Sequence, residues 1–331
     1  MEFKLFVGID VSKNTIDAAI HGHQETKVFS NSKKGFKELT VWIKECVKAP
    51  AGQTLFCFEH TGLYSVALSV YLSESGFPFA QVPALEIKRS MGITRGKSDR
   101  VDARRIARYA YGKRDTVQLS ALPSPALRKL RLYMSLRATL VRQRASLVAT
   151  AKEQQSVYSC KDYKDIFRIY KKVSASLQKR IEELEAKILA VIEADGNLSK
   201  NYQMATSVPG IGRFTASYML VCPNNFPRFG EWRKFACYCG TAPFEYSSGT
   251  SVRGRTKVNH LANKEIKSLL FMCAMNAVRH DVQLRAYYNR RVGEGKSRMA
   301  TINIIKNKLL ARVFATVKRQ SPFVKLDMLP S

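Results

Sequence analysis

Asp99 and Asp102 lie three residues apart in Lys97-Ser98-Asp99-Arg100-Val101-Asp102-Ala103-Arg104-Arg105, where every other charged side chain is positive. On a helix, positions i and i+3 share a face, so both carboxylates would point the same way. Like charges so placed cost stability unless a cation neutralises them, and a divalent metal satisfies both better than Lys or Arg. Lys97, Arg100, Arg104 and Arg105 would meanwhile attract a polyanion. Two further acids close apolar runs, Asp10 in Val7-Gly8-Ile9-Asp10 and Glu59 in Phe56-Cys57-Phe58-Glu59. A charge directly after buried positions is costly unless paired or metal-bound. Together these acids form an oxygen-rich set suited to Mg²⁺ and to phosphodiester chemistry on nucleic acid. Asp17 is expected on the solvent face of the second strand, and His60 as a hydrogen-bonding support.

A second centre lies in Ser247-Ser248-Gly249-Thr250-Ser251-Val252-Arg253-Gly254-Arg255-Thr256-Lys257. A serine hydroxyl needs activation to act as a nucleophile, because almost none of it is alkoxide at neutral pH. Arg253, Arg255 and Lys257 are placed to hold a scissile phosphate and to stabilise charge developing on it. The residues alone leave Ser247, Ser248 and Ser251 open as candidates.

The elements that must position these groups are legible. Short apolar segments at Leu5–Asp10, Thr15–His21 and Thr26–Ser30 read as strands, the first two forming a hairpin. Gly35–Val47 has helical spacing, Thr54–Glu59 reads as a buried strand, Tyr64–Ser75 as a helix and Phe79–Val82 as a strand. Three strands followed by alternating helix and strand are the order of a ribonuclease-H-like fold. In that fold the strands bearing Asp10 and Glu59 are neighbours, and the Asp99–Asp102 helix reaches the same edge.

From Thr116 to Lys152 there is no acidic residue, while Arg128, Arg131, Arg137, Arg142 and Arg144 recur on a long basic helix. Ile166, Ile169, Val173, Leu177, Ile181, Leu184, Ile188 and Val191 form a coiled-coil-like seam on a second helix. A helical arm that also mediates self-association is the favoured reading, with an intrachain helical hairpin as the alternative. Val208-Pro209-Gly210-Ile211-Gly212 resembles a helix-hairpin-helix turn, where Gly210 and Gly212 let backbone N–H groups approach a phosphate. The fold class is thus α/β plus α. Three domains are expected, at residues 1–118, 119–198 and 199–331, the last mostly helical.

The net charge of +29 over 331 residues implies long contacts with nucleic acid. No apolar run nears the roughly 20 residues that span a bilayer, so no membrane partner is expected. Seven cysteines without framework spacing suit a reducing cytoplasm. Gly293-Glu294-Gly295-Lys296-Ser297 lacks the earlier glycine of a Walker loop, since Arg290 stands there, so no ATP use is implied.

Gly8-Ile9-Asp10-Val11-Ser12-Lys13, Phe58-Glu59-His60-Thr61-Gly62, Lys97-Ser98-Asp99-Arg100-Val101-Asp102-Ala103, Val208-Pro209-Gly210-Ile211-Gly212 and Ala242-Pro243 with Ser248-Gly249 occur in that order. Together they resemble the insertion-sequence family one-ten transposases, also called DEDD or bridge-RNA-guided serine recombinases. The resemblance implies a RuvC-like N-terminal domain, a coiled-coil linker and a C-terminal transposase domain. By motif match Asp10, Glu59, Asp99 and Asp102 are the DEDD quartet, and Ser248 holds the nucleophile position, with Ser247 and then Ser251 as alternatives.

The implied reaction is cleavage and rejoining of donor and target DNA through a phosphoserine link, with Mg²⁺ as cofactor. The implied partners are a noncoding bridge RNA and further copies of the chain, as a homodimer assembling to a tetramer. A cytoplasmic bacterial protein, nucleoid-associated when active, follows from this. Two rivals remain: a metal-dependent nuclease or junction resolvase without a covalent intermediate, and a non-catalytic nucleic-acid-binding protein.

Overall fold

Short apolar runs make strands of Leu5–Val11 (β1) and Thr15–Ile20 (β2), joined by Thr26–Ser30 (β3) and followed by the amphipathic helix Lys33–Cys46 (α1). Then come Thr54–Glu59 (β4), Val66–Glu74 (α2), Phe79–Val82 (β5), Ala84–Ser90 (α3) and Asp99–Gly112 (α4). The computed structural model describes residues 3–47, 50–90, 99–158, 161–248, 252–258 and 261–324. It divides into two compact units, Met1–Leu122 and Pro123–Ser331.

In the first unit five strands form one mixed sheet, ordered β3-β2-β1-β4-β5. β1, β2 and β3 are antiparallel neighbours, while β1–β4 and β4–β5 run parallel. Because side chains alternate along a strand, the sheet has two distinct faces. Leu5, Val7, Ile9, Ile16, Ala18, Ile20, Phe56 and Phe58 share one face, packed on Phe36 and Leu39 of α1 and Leu68 and Leu72 of α2. Phe6, Leu55, Cys57, Ala80 and Val82 face the other way, onto Ile106, Tyr109 and Ala110 of α4.

Gly8 decides how closely α4 can lie. A Cβ at Gly8 would fall well inside contact distance of the Ala107 amide nitrogen and the Ala103 carbonyl oxygen. The helix backbone therefore rests directly on β1 at Ala103 and Ala107, with Ile106, Tyr109 and Ala110 buried beside that contact.

In the second unit Pro125–Val157 (α5) and Lys164–Glu193 (α6) pack along one another as a helical hairpin. Next come Gly196–Thr206 (α7), Arg213–Val221 (α8), Trp232–Tyr238 (α9), Pro243–Ser248 (β6), Val252–Val258 (β7), Lys264–His280 (α10), Val282–Gly293 (α11) and Arg298–Arg319 (α12). The base of the hairpin joins the main core: Leu127, Leu130 and Met134 of α5 and Ile188 and Ile192 of α6 cluster with residues of α7 to α12. The apolar seam on α6 divides in two. Ile181, Leu184 and Ile188 are buried, whereas Ile166, Ile169 and Val173 are exposed.

Gly210, in the turn between α7 and α8, has φ +93°, and a Cβ there would stand 2.8 Å from the Ala277 side chain. Its absence of a side chain thus serves a left-handed turn and a close approach of α10. Gly212 is the N-cap of α8, which has no side-chain cap, so the first-turn N–H groups of α8 carry no capping side chain. Among the described residues no helix is long and apolar enough to cross a membrane.

If the seat of α4 is the glycine, Gly8→Ala lowers the unfolding free energy by about 3 kcal/mol, the upper range for an overpacked core. Gly52→Ala, where a Cβ meets nothing within 4 Å, leaves it unchanged. Chemical denaturation of the two variants checks this.

Candidate active site

The acids of the first unit converge by backbone register. Ile9 pairs with Phe58 across the parallel β1–β4 ladder, so Asp10 and Glu59 follow side by side. Asp10 lies two residues beyond Gly8, on the face that α4 covers. The helix runs opposite to β1 there: Phe6 clusters with Ile106, Tyr109 and Ala110, Gly8 lies against Ala103 and Ala107, and Asp10 feels the charge of Asp99, one turn before Ala103. Asp99 is exposed on the first turn of α4, and Asp102 is half-buried and ion-paired to Arg105 at 2.8 Å.

The electrostatics record the convergence. Burial first, and then the charges of Asp99, Glu59, Asp102 and Asp17, push the Asp10 carboxyl from its ordinary 3.8 up to about 6. Among the described residues the charges that shift Asp10 are all carboxylates. Among the described residues no group of three or more acidic, His or Cys side chains is drawn in closely enough to hold a metal ion. The donor set itself, all carboxylate oxygen, fits a hard divalent cation such as Mg²⁺ or Mn²⁺ and offers no soft ligand. Asp10, Glu59, Asp99 and Asp102 are the residues that would hold one.

Asp17 departs from expectation. It is not on a solvent face but buried, at 7% exposure, and it is the direct cross-strand partner of Asp10. The outer side of β2 at that position is the side on which α4 packs. Burial, then the Asp99 charge, raises its carboxyl above the usual range, while Arg100 acts to lower it. His60 lies just past Glu59, exposed, and its Nδ1 accepts a hydrogen bond from the Gly62 N–H at 3.3 Å.

In the second unit β6 and β7 form a two-stranded hairpin with Ser248 opposite Val252 and Ser247 opposite Arg253. Ser248 is therefore the last residue of β6, at the hairpin's tip, and Ser247 is exposed. For Ser248, Arg253 and Arg255 the description stops at the backbone; Lys97 and Ser251 lie outside the described residues. Lys257 is exposed and pairs opposite Phe244. The hairpin's root is clamped. Asn303 and Asn307 of α12 donate to the Thr241 carbonyl at 2.8 and 2.9 Å, and the buried Thr241 hydroxyl donates to Asn307 Oδ1 at 2.8 Å. Sequence reasoning missed these asparagines; the available signal was a polar pair at i and i+4 among the apolar residues of an amphipathic helix.

The basic residues divide by their partners. Arg104 donates to the Gln24 carbonyl, and Arg100 is exposed on the first turn of α4. Arg131 donates to Asn224 Oδ1 at 3.2 Å, near the end of α8. Arg137 is committed within the unit: it bonds Glu185 at 2.7 Å and stacks 3.8 Å over Phe214. Arg128 and Arg144 are half-buried along α5, with Arg144 Nε unpartnered, and Arg142 is exposed.

Known proteins match this chain along its length. Residues 7–154 match a DEDD-type IS110 family model described as a transposase, and residues 202–289 match a second, described as "Transposase IS116/IS110/IS902 family". The chain belongs to the IS110 transposase family. Two relatives named "Pilin gene-inverting protein", from Moraxella bovis and Moraxella lacunata, are each 29% identical over 97% of this chain and 98% of their own. An "Insertion element IS110 uncharacterized 43.6 kDa protein" of Streptomyces coelicolor is 32% identical over 41% of this chain and 32% of its own. This IS110 family member is thus a transposase or recombinase that acts on DNA, and its DEDD family suggests a divalent metal.

Asp10 holds its proton more tightly in the folded protein than in the unfolded chain, so folding takes up a proton between about pH 4 and about pH 6. Metal-free stability is therefore expected to fall as pH rises through that window. Asp10→Asn flattens the slope. Thermal melts in a chelator from pH 4 to pH 7 measure it.

Proposed function

We propose that this IS110 family transposase cleaves and rejoins DNA by serine chemistry, with Ser248 as nucleophile and Asp10, Glu59, Asp99 and Asp102 as a Mg²⁺-holding carboxylate set. The observation that carries the reading is the convergence of these acids on one face of the sheet, at the mouth of β1 and β4. The strand order β3-β2-β1-β4-β5, with three antiparallel strands followed by two parallel ones, supports a RuvC-like, ribonuclease-H-like reading of the first unit. Full-length similarity to proteins named for inverting a pilin gene supports strand exchange over plain hydrolysis.

In this mechanism the Ser248 hydroxyl oxygen forms a bond to a backbone phosphorus as a deoxyribose oxygen leaves. Attack by a second strand's deoxyribose hydroxyl on the phosphoserine then rejoins the DNA and frees the serine. A bound Mg²⁺ would polarise the phosphate oxygens and stabilise charge on the leaving oxygen. Asp10 and Glu59, fixed on neighbouring strands, orient that end of the site, and Asp99 and Asp102 close it from α4. Arg253, Arg255 and Lys257 on β7, the strand paired with the serine strand, supply positive charge to the serine hairpin. The clamp from Asn303 and Asn307 holds the hairpin at its root.

The acids and the serine belong to different units of the chain, and we take the working site to be composite, with carboxylates of one protomer serving the serine of another. A homodimer assembling to a tetramer, through the exposed apolar part of the α6 seam, fits that arrangement. A noncoding bridge RNA supplies sequence choice by base pairing, while the protein's +29 charge grips backbone and shape. The protein works in the cytoplasm, on the nucleoid.

Reaction of the protein with its element's flanking noncoding RNA, donor and target DNA should yield an SDS-stable protein–DNA adduct. The adduct is expected to persist in Ser247→Ala and to vanish in Ser248→Ala, with Asp10→Asn lowering its yield about 100-fold or more. Cleavage without an adduct, indifferent to Ser248→Ala, would leave a metal-dependent nuclease instead.

A further inference from the structure

Asp17 is the buried acid that the quartet does not use. Four facts about it combine. Its Cα is paired directly with that of Asp10 across the antiparallel β1–β2 ladder. Directly paired residues project from the same face of a sheet, so Asp17, Asp10 and the docking position Gly8 share the face under α4. It is only 7% exposed. Among the described residues its side chain has no hydrogen-bond or ion-pair partner, and it feels the charges of Asp99 and Arg100.

A buried carboxylate without a local partner is costly, and a strand position of this kind is ordinarily apolar. Ile16 and Ala18, its neighbours in β2, fill the opposite face and are fully buried there. Structural economy alone would therefore favour an apolar or hydroxyl side chain at position 17. Arg100 acts on Asp17 from the first turn of α4 without closing an ion pair. What would compensate the charge is a cation seated among Asp10 and Asp99, its two acidic neighbours.

We propose that Asp17 is a fifth carboxylate of the cation site, contributing from β2 to the hold on the divalent metal. This rests on the carboxylate set binding a divalent cation, as proposed above. The fifth acid makes the site one that spans three neighbouring strands, with β2, β1 and β4 contributing Asp17, Asp10 and Glu59 and α4 contributing Asp99 and Asp102. A divalent ion there would offset the repulsion that Asp99 and Asp17 exert on Asp10.

The test uses the full chain without nucleic acid and Mn²⁺ alone as probe. Mn²⁺ affinity by electron paramagnetic resonance and melting temperature with and without Mn²⁺ are measured for wild type, Asp17→Asn, Asp17→Ser and Asp10→Asn. Asp17→Asn is expected to weaken Mn²⁺ about 10-fold or more. In chelator it melts at or above the wild-type temperature, because one like charge is gone, while its Mn²⁺-dependent gain shrinks. Asp17→Ser gives the same reading should the amide pack poorly. Folded Asp17 variants that bind Mn²⁺ as wild type does, while Asp10→Asn does not, would overturn the role of Asp17 and leave the quartet intact. Wild type and Asp10→Asn binding Mn²⁺ alike would overturn the cation site itself, and Asp17's part with it.

Discussion

Helix α4 can lie on the sheet only because β1 presents a hydrogen atom at Gly8 where another residue would present a Cβ. The backbone of the helix then meets the backbone of the strand, and small side chains at Ala103, Ala107 and Ala110 continue the seat. That contact sets the height of the first turn of α4 above the sheet. Two residues along β1 from the glycine is Asp10; one turn back along α4 from Ala103 is Asp99. The acids come to the same edge of the sheet because strand and helix run in opposite senses from one fixed point. Glu59 arrives through the parallel pairing of β1 with β4, and Asp17 through the antiparallel pairing with β2.

The result is a concentration of negative charge inside a strongly positive protein. Lys and Arg outnumber Asp and Glu by 29, and that excess draws in a phosphate backbone over a long range. At the edge of β1 and β4 the sign reverses, and bare carboxylates would repel the same backbone. In the proposed mechanism a divalent cation held by the acids would resolve the conflict by supplying positive charge to the phosphate. Binding of metal and binding of nucleic acid are therefore coupled in the proposed mechanism. The arginines of α4 divide accordingly: Arg105 steadies Asp102, Arg104 reaches the Gln24 carbonyl, and Arg100 faces outward.

Local patterns carried much of the fold. Short apolar runs marked β1 to β5 and helical spacing marked α1 and α2, because those signals come from neighbours in the chain. The seam on α6 was legible too, though its partner along the inner half is α5 of the same chain. Asp17 was misread for a definite reason. In Thr15-Ile16-Asp17-Ala18 the polar residue alternates with apolar ones, which normally marks a solvated face. That face is covered by a helix far along the chain, and nothing local announces it. Arg137 illustrates the same limit: a basic helix suggests nucleic acid, whereas its guanidinium stacks on Phe214 and bonds Glu185. The glycine seat and the Asn303–Asn307 clamp are likewise tertiary, since each depends on which backbone comes to rest against it.

The claim on which the rest depends is that Asp10, Glu59, Asp99 and Asp102 hold one cation site at the sheet's edge. Anomalous scattering from crystals of the protein grown with Mn²⁺ tests it directly. The expected result is a manganese peak among those carboxylates, with the side chains drawn in to ligand distances near 2.2 Å, roughly the range for oxygen donors to such ions. Well-ordered carboxylates with no peak between them, or manganese held only elsewhere on the chain, would contradict it.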